Sequence, residues 1–190
     1  MEPGFLSHQD QQELLRIARE VLAAHLNGGD PRPIHSDLPN LLHRLGAFVS
    51  LHKQGELRGC IGHLVPDQPL FQIVKIAAIS AATQDFRFSP LRLEEMAEID
   101  IEISVLSPFR EVKDLQEIHV GRHGLMVSQA QHRGLLLPQV AIEYSWNRET
   151  FLSHTCLKAG LPPDAWMSES VKIEVFSAQV FGERERAHRQ

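Results

Sequence analysis

Apolar and polar positions alternate along the chain with periods that change repeatedly from helical to extended. Leu14, Ala18, Val21, Leu22 and His25 recur at helical spacing, which predicts a helix over residues 7–26. Ser7 and Asp10 stand where a capping pair belongs, and Asn27-Gly28-Gly29-Asp30-Pro31 ends the run. Residues 30–45, punctuated by Pro31, Pro33 and Pro39, read as an extended connection with a short helical turn. Over residues 46–64 two short apolar runs flank Gln54-Gly55, the pattern of a β-hairpin. Residues 67–83 are apolar nearly all round, which predicts a buried helix with Asp67 as cap and Pro69 in its first turn.

The second half is mostly extended. Read as extended, Asp85-Phe86-Arg87-Phe88 puts Asp85 and Arg87 on one face and both phenylalanines on the other. That is either a surface ion pair over two core aromatics or a second arginine beside the hairpin. Ile99, Ile101, Ile103 and Val105 alternate with Asp100, Glu102 and Ser104, a half-buried strand. Residues 111–118 are charged and read as irregular or briefly helical. Strands are expected at 124–128 and 133–137, and helices from Pro138 and over 148–160, the latter ended by Gly160. Residues 172–181 alternate as one last strand. Residues 183–190 read as a solvated tail.

Composition narrows the class. With 190 residues, 43% of them hydrophobic, the chain can bury the core of one domain carrying a small lobe. A net charge of −5 argues against a general nucleic-acid binder, which needs a basic stripe. No apolar run reaches the length of a membrane span, and Met1-Glu2-Pro3-Gly4 lacks the pattern of a signal peptide. Cys60 and Cys156 make no disulfide framework and fit a reducing compartment. The expected location is the cytoplasm.

The hairpin's second run, Leu57-Arg58-Gly59-Cys60-Ile61-Gly62, is unusual for a strand. Interior glycines mark a bulge or a close approach. Period-two geometry places Arg58 and Cys60 on one face, with Leu57 and Ile61 on the other. Cys60 is then either an inert small hydrophobe or a thiol activated by the Arg58 charge. Arg58 and Arg87 could alternatively grip a carboxylate or phosphate. Cys156, at a core position of its helix, has no such partner. His119 and His123 have the spacing of a helical metal pair, but Gly121 and Gly124 interrupt any helix there, so no metal site is expected. Nor is there a phosphate-binding or dinucleotide fingerprint, and no cofactor is expected. Glu143 reads as a helix-dipole partner or as a cleft carboxylate.

Residues 57–62 resemble the signature hexapeptide of the AMMECR domain family, whose bacterial and archaeal members are often called AmmeMemoRadiSam system protein A. Further blocks agree in order: residues 78–90, 101–108, 121–124 and 133–141, then Glu143, Trp146, Phe151-Leu152 and residues 158–162. One departure is Gln139, where relatives outside bacteria tend to carry glutamate, which leaves Glu143 as the better acidic candidate. The resemblance implies an α+β fold: an antiparallel β-sheet flanked by helices, with a smaller appended lobe and a cleft between them beside the signature. It implies a single domain over residues 1–182. It further implies association with Memo-type and radical-SAM proteins, and no particular reaction.

Two functions are therefore expected. One is a cleft enzyme acting on a small anionic substrate. Cys60 is its nucleophile or redox thiol, Arg58 the electrostatic partner, and His123 or Glu143 the proton carrier, with Gly59, Gly62, Asp85 and Arg87 binding substrate. The alternative is a noncatalytic binding module, in which Arg58, Cys60 and the glycines shape an open lane that docks a partner.

Overall fold

The computed structural model describes residues 6–29, 36–64 and 67–184. In chain order these form α1 (His8–Leu26), β1 (Ala47–Lys53), β2 (Glu56–His63), α2 (Leu70–Thr83), β3 (Ile99–Leu106) and β4 (Arg110–Glu111). β5 (Gly124–Gln129), β6 (His132–Leu136), α3 (Pro138–Glu143), α4 (Arg148–Lys158), β7 (Lys172–Phe176) and β8 (Ala178–Gly182) follow. The class is α+β, with two antiparallel sheets ordered β2-β1-β3-β8 and β4-β7-β5-β6. The chain divides into a larger unit, Glu2–Leu106 with Gln179–Gln190, and a smaller one, Ser107–Ala178.

In the larger unit, α1 starts on the expected cap. The Ser7 hydroxyl accepts the Asp10 N–H, and the Asp10 carboxylate accepts the Ser7 N–H, satisfying two of the orphan donors of the first turn. Leu14, Ile17, Ala18, Val21 and Leu22 are then buried against α2 and the sheet. α2 is buried on nearly every side, as its composition predicts, but it begins at Leu70 without a side-chain cap. The Leu70 N–H is satisfied by the His43 carbonyl instead, so Asp67 is not the cap. The expected helical turn in the preceding connection is a 3₁₀ turn, Pro39–Leu42, while residues 30–35 lie outside the described residues.

The hairpin closes at Gln54 and Gly55, both at positive φ (54° and 87°), the geometry that a two-residue loop requires to match strand twist. Beyond it the pairing slips: Leu51 faces Gly59, but His52 faces Leu57. Arg58 is the extra residue of a β-bulge. The bulge carries Leu57 to the face opposite the core, where it is 38% exposed, so the expected pairing of Leu57 with Ile61 on one inner face does not occur.

In the smaller unit, Leu125, Val127, Phe151, Leu152, Cys156, Ile173 and Val175 form a separate core between sheet and helices. α4 packs closely on β6: a Cβ at Gly134 would lie 2.2 Å from the Ala159 nitrogen. Residues 172–181 form two strands rather than one. Ser177 divides them, its carbonyl accepting the Ser107 N–H and its own N–H bonding the Ser107 hydroxyl. The chain thereby leaves one sheet for the other. Beyond the break Val180 is 47% exposed, and Phe181 packs on the larger unit's core.

The end of the described chain is anchored. Glu183, expected in the tail, accepts the Ile101 N–H and pairs with Arg19, and Arg184 pairs with Asp100. The rest of the expected tail, 185–190, lies outside the described residues. Among the described residues no helix is long and apolar enough to cross a membrane.

Candidate functional site

β2 is an edge strand, and an edge strand presents unpaired backbone donors. Here the segment after α2 covers it. The Asp85 carboxylate accepts the Cys60 N–H at 2.9 Å, and Arg58 donates to the Ser89 carbonyl at 2.8 Å. Residues 85–88 form a turn closed by the Phe88 N–H and the Asp85 carbonyl, not an extended run. The turn alters what the side chains do. Asp85 is buried, Phe88 is half-buried and Phe86 is 97% exposed, so the phenylalanines are not a core pair.

Asp85 is saturated with donors. Besides Cys60 it accepts the Arg87 N–H (3.2 Å) and the Arg87 Nε and Nη2 (2.9 and 2.7 Å). The guanidinium bonds above all, with the two backbone N–H groups, hold the carboxylate well below its usual range despite burial. Asp85 is thus an anchor of the turn, with no lone pair left to bind substrate. Arg87 keeps about half of its side chain in solvent and lies over the Phe88 ring at 5.4 Å. Hydrogen bonding to Asp85 holds it charged, and Cys60 lies within its Coulomb reach.

Arg58 is committed elsewhere. Its Nε and Nη2 form a fork onto Glu95 (3.2 and 3.0 Å), which pulls the Glu95 carboxyl down to about 2, with burial opposing. Three of its donors are therefore spent on the loop that covers the edge. Its charge is thus matched by Glu95, and Cys60 lies within Coulomb reach of Arg87.

The Cys60 thiol projects on the sheet face away from α2. There Cys60, Ser50 and Glu102 lie in one transverse row across β2, β1 and β3. The Ser50 hydroxyl reaches Cys60 Sγ at 3.2 Å, and on the next row His52 Nε2 lies 3.8 Å from a Glu102 oxygen. Ser50, His52 and Glu95 were not expected at the site. Alternation along β1, with Val49 and Leu51 buried, does place Ser50 and His52 together on the other face. Nothing in the local pattern signals Glu95.

The glycines do not leave a lane open. A Cβ at Gly59 would stand 2.2 Å from the Ala81 carbonyl oxygen, and one at Gly62 would stand 2.2 Å from the Phe48 ring. Gly59 lets α2 approach β2, and Gly62 accommodates an aromatic neighbour. Both are packing positions.

His123 and Glu143 belong to the smaller unit. Glu143 is the exposed last residue of α3, so the helix-dipole role expected near a helix start does not apply. His123 lines an open pocket of about 290 Å³ with Arg110, Glu117, His119 and Arg122. Burial, then the charges of His119, Arg122 and Arg110, push its imidazole pKa down. Cys156 is fully buried, and burial raises its thiol pKa. Among the described residues, no three His, Cys, Asp or Glu side chains are grouped to hold a metal ion.

These features define an α+β protein of two antiparallel sheets with a cysteine on a covered edge strand. The AMMECR1 family model matches residues 15–181, and the chain belongs to that family. It is 45% identical over 185 residues to a protein of Methanothermobacter thermautotrophicus, covering 94% of this chain and 96% of that one. A Methanocaldococcus jannaschii protein is 46% identical over 90% of this chain and 89% of its own. The crystal structure of an uncharacterised protein from Pyrococcus horikoshii superposes with a TM-score of 0.81 at 41% identity, covering 90% of each chain.

Proposed function

We propose that the larger unit is a reaction centre for a small anionic substrate, with Cys60 as its nucleophilic or redox thiol. The supporting observation is the placement of Cys60 Sγ at 3.2 Å from the Ser50 hydroxyl and within the field of Arg87. The hydroxyl and the cation give a substrate two polar groups to meet beside the sulfur. Arg87 is also suited to receive the substrate's anionic group: its Asp85 fork uses Nε and Nη2, and about half of the side chain faces solvent. Arg58 and Asp85 fix the covering turn and do not touch substrate.

The test compares alkylation of Cys60 by iodoacetate and by iodoacetamide, with Cys156 as internal control. Cys60 should react far faster than Cys156 and favour the anionic reagent. Arg87→Ala should abolish that preference while leaving the neutral reagent's rate nearly unchanged. A Cys60 as inert as Cys156, or a preference unaffected by Arg87→Ala, overturns the reading.

A second reading, a docking module, is favoured by Phe86, which stands 97% exposed beside Arg87. An aromatic next to an arginine is a common anchor of protein contacts. Memo-type and radical-SAM proteins are the first partners to test. In this reading Phe86→Ala abolishes capture and Cys60→Ser preserves it.

A further inference from the structure

We infer that the smaller unit carries a second, independent site, a stacking platform on Tyr144 that binds the flat aromatic ring of a small, uncharged or cationic molecule. The local sequence builds it. α3 ends in a turn closed by three backbone bonds: the Tyr144 N–H donates to the Val140 carbonyl (3.2 Å), that of Ser145 to Ile142 (3.0 Å) and that of Trp146 to Ala141 (2.8 Å). Ser145 takes φ +53°, left-handed backbone that a residue other than glycine adopts only at a cost. Beyond the turn Asn147 caps α4, its side-chain oxygen accepting the Thr150 N–H at 2.8 Å. The turn is pinned at both ends, and the residues on either side of Ser145 are aromatic.

Those two rings form a column. Tyr144 and Trp146 stack with centroids 5.0 Å apart and planes at 19°, and Trp146 stacks in turn on His154 of α4, at 3.9 Å and 4°. Trp146 is thereby covered on both faces and packs against the smaller unit's core, so a structural role accounts for it. That role does not account for Tyr144, which has one face on Trp146 and is still 65% exposed. A ring already held in place loses little freedom when a ligand settles on it. What continues a column of near-parallel rings is another flat ring.

Charge selects among flat rings. Within residues 143–147 the one charged side chain is Glu143, which is exposed. The next cation along the chain, Arg148, is directed onto the Ile118 carbonyl and the Gln116 side chain (3.0 and 2.7 Å). A phosphate or carboxylate on the ligand therefore meets no cation in the turn. A positively charged ring gains twice, from the Glu143 carboxylate and from the π face of Tyr144.

The experiment is an NMR titration of the full chain with adenosine, adenosine monophosphate, N-methylnicotinamide and, as a cation without a flat ring, tetramethylammonium. Tyr144 is the one tyrosine of the sequence, so its ring resonances report on the site without ambiguity. Adenosine and N-methylnicotinamide should shift them upfield and saturate, with N-methylnicotinamide the tighter and adenosine monophosphate weaker than adenosine. Tyr144→Ala, followed at the Trp146 indole, should weaken binding about tenfold to a hundredfold, the range of one ring-on-ring stack. Tyr144→Phe, which keeps the ring, should bind as the parent does. Glu143→Gln should weaken N-methylnicotinamide and leave adenosine unchanged. The inference falls if the shifts do not saturate, if tetramethylammonium matches the flat probes, if adenosine monophosphate binds more tightly than adenosine, or if Tyr144→Ala binds unchanged. Both substituted residues are exposed, so the variants keep the fold and the test stays decisive.

Discussion

The Asp85 carboxylate accepts the Cys60 N–H at 2.9 Å, so a side chain, rather than another strand, satisfies the outward edge of β2 at its cysteine. The same carboxylate grips Arg87. One buried acid therefore fixes both the backbone that carries the thiol and the cation that faces it.

Removing this acid should cost both stability and reactivity. Asp85→Ala leaves the Cys60 N–H without its acceptor and releases Arg87. The expected loss is about 2–4 kcal/mol, with Asp85→Asn less damaging because it keeps one acceptor. Denaturant titration measures the stability. In Asp85→Asn, the iodoacetate preference at Cys60 should shrink as Arg87 loses its fixed position. A variant as stable as the parent and equally selective would remove Asp85 from the site.

Gly59 is where packing and apparent function were easiest to confuse. Gly59→Ala drives a Cβ to 2.2 Å from a backbone oxygen of α2, and backbone cannot rotate aside as a side chain can. A loss of about 3 kcal/mol is expected, at the upper end of overpacking costs. The measurement is the thermal midpoint beside Gly55→Ala as a comparison, where no atom lies within 4 Å but φ is +87°. Loss of function in Gly59→Val therefore reports unfolding, and says nothing of a docking lane.

Most elements were legible in the sequence because their periods are local. α1 carries its own cap at Ser7 and Asp10, and β3 alternates cleanly through Ile99, Ile101 and Ile103. The misses share a cause: each depends on a distant partner. The bulge at Arg58 follows from how β2 pairs with β1, and it reassigns Leu57 to the outer face. The Arg58 fork finds Glu95, 37 residues away. The break at Ser177 is made by Ser107, 70 residues earlier, and alternation on either side conceals it. At the candidate site, Cys60, Arg58 and Arg87 stand out in the sequence by residue type, whereas the partners that hold the two arginines, Glu95 and Asp85, depend on how the segment after α2 folds back.

The two forks also predict acid sensitivity. Both carboxylates titrate lower in the folded protein than in the unfolded chain: Glu95 falls from 4.5 to about 2, and Asp85 is depressed as well. A depressed folded pKa contributes stability that is present above the unfolded value and lost as pH falls toward the folded one. The midpoint should therefore drop steeply between pH 4.5 and about 2. Glu95→Gln should be less stable than the parent at neutral pH and should show a shallower decline through that window. Equal slopes would mean that the Arg58 fork contributes nothing to folding.

The last anchored residue offers a test at the chain's end. Glu183 accepts the Ile101 N–H at 2.8 Å and pairs with Arg19, whose other donors reach the Met96 and Ile99 carbonyls. This knot ties α1 to the start of β3 and to the segment after β8. Glu183→Ala leaves a backbone donor and a half-buried guanidinium without their carboxylate, at an expected cost of about 1–3 kcal/mol. For a chain of this size that is roughly 2–12 °C in the thermal midpoint. Glu183→Gln, which keeps an acceptor for the Ile101 N–H, should lose less. If Glu183→Ala melts with the parent, Glu183 belongs to a solvated tail after all, and the contacts to Arg19 and Ile101 add nothing to stability.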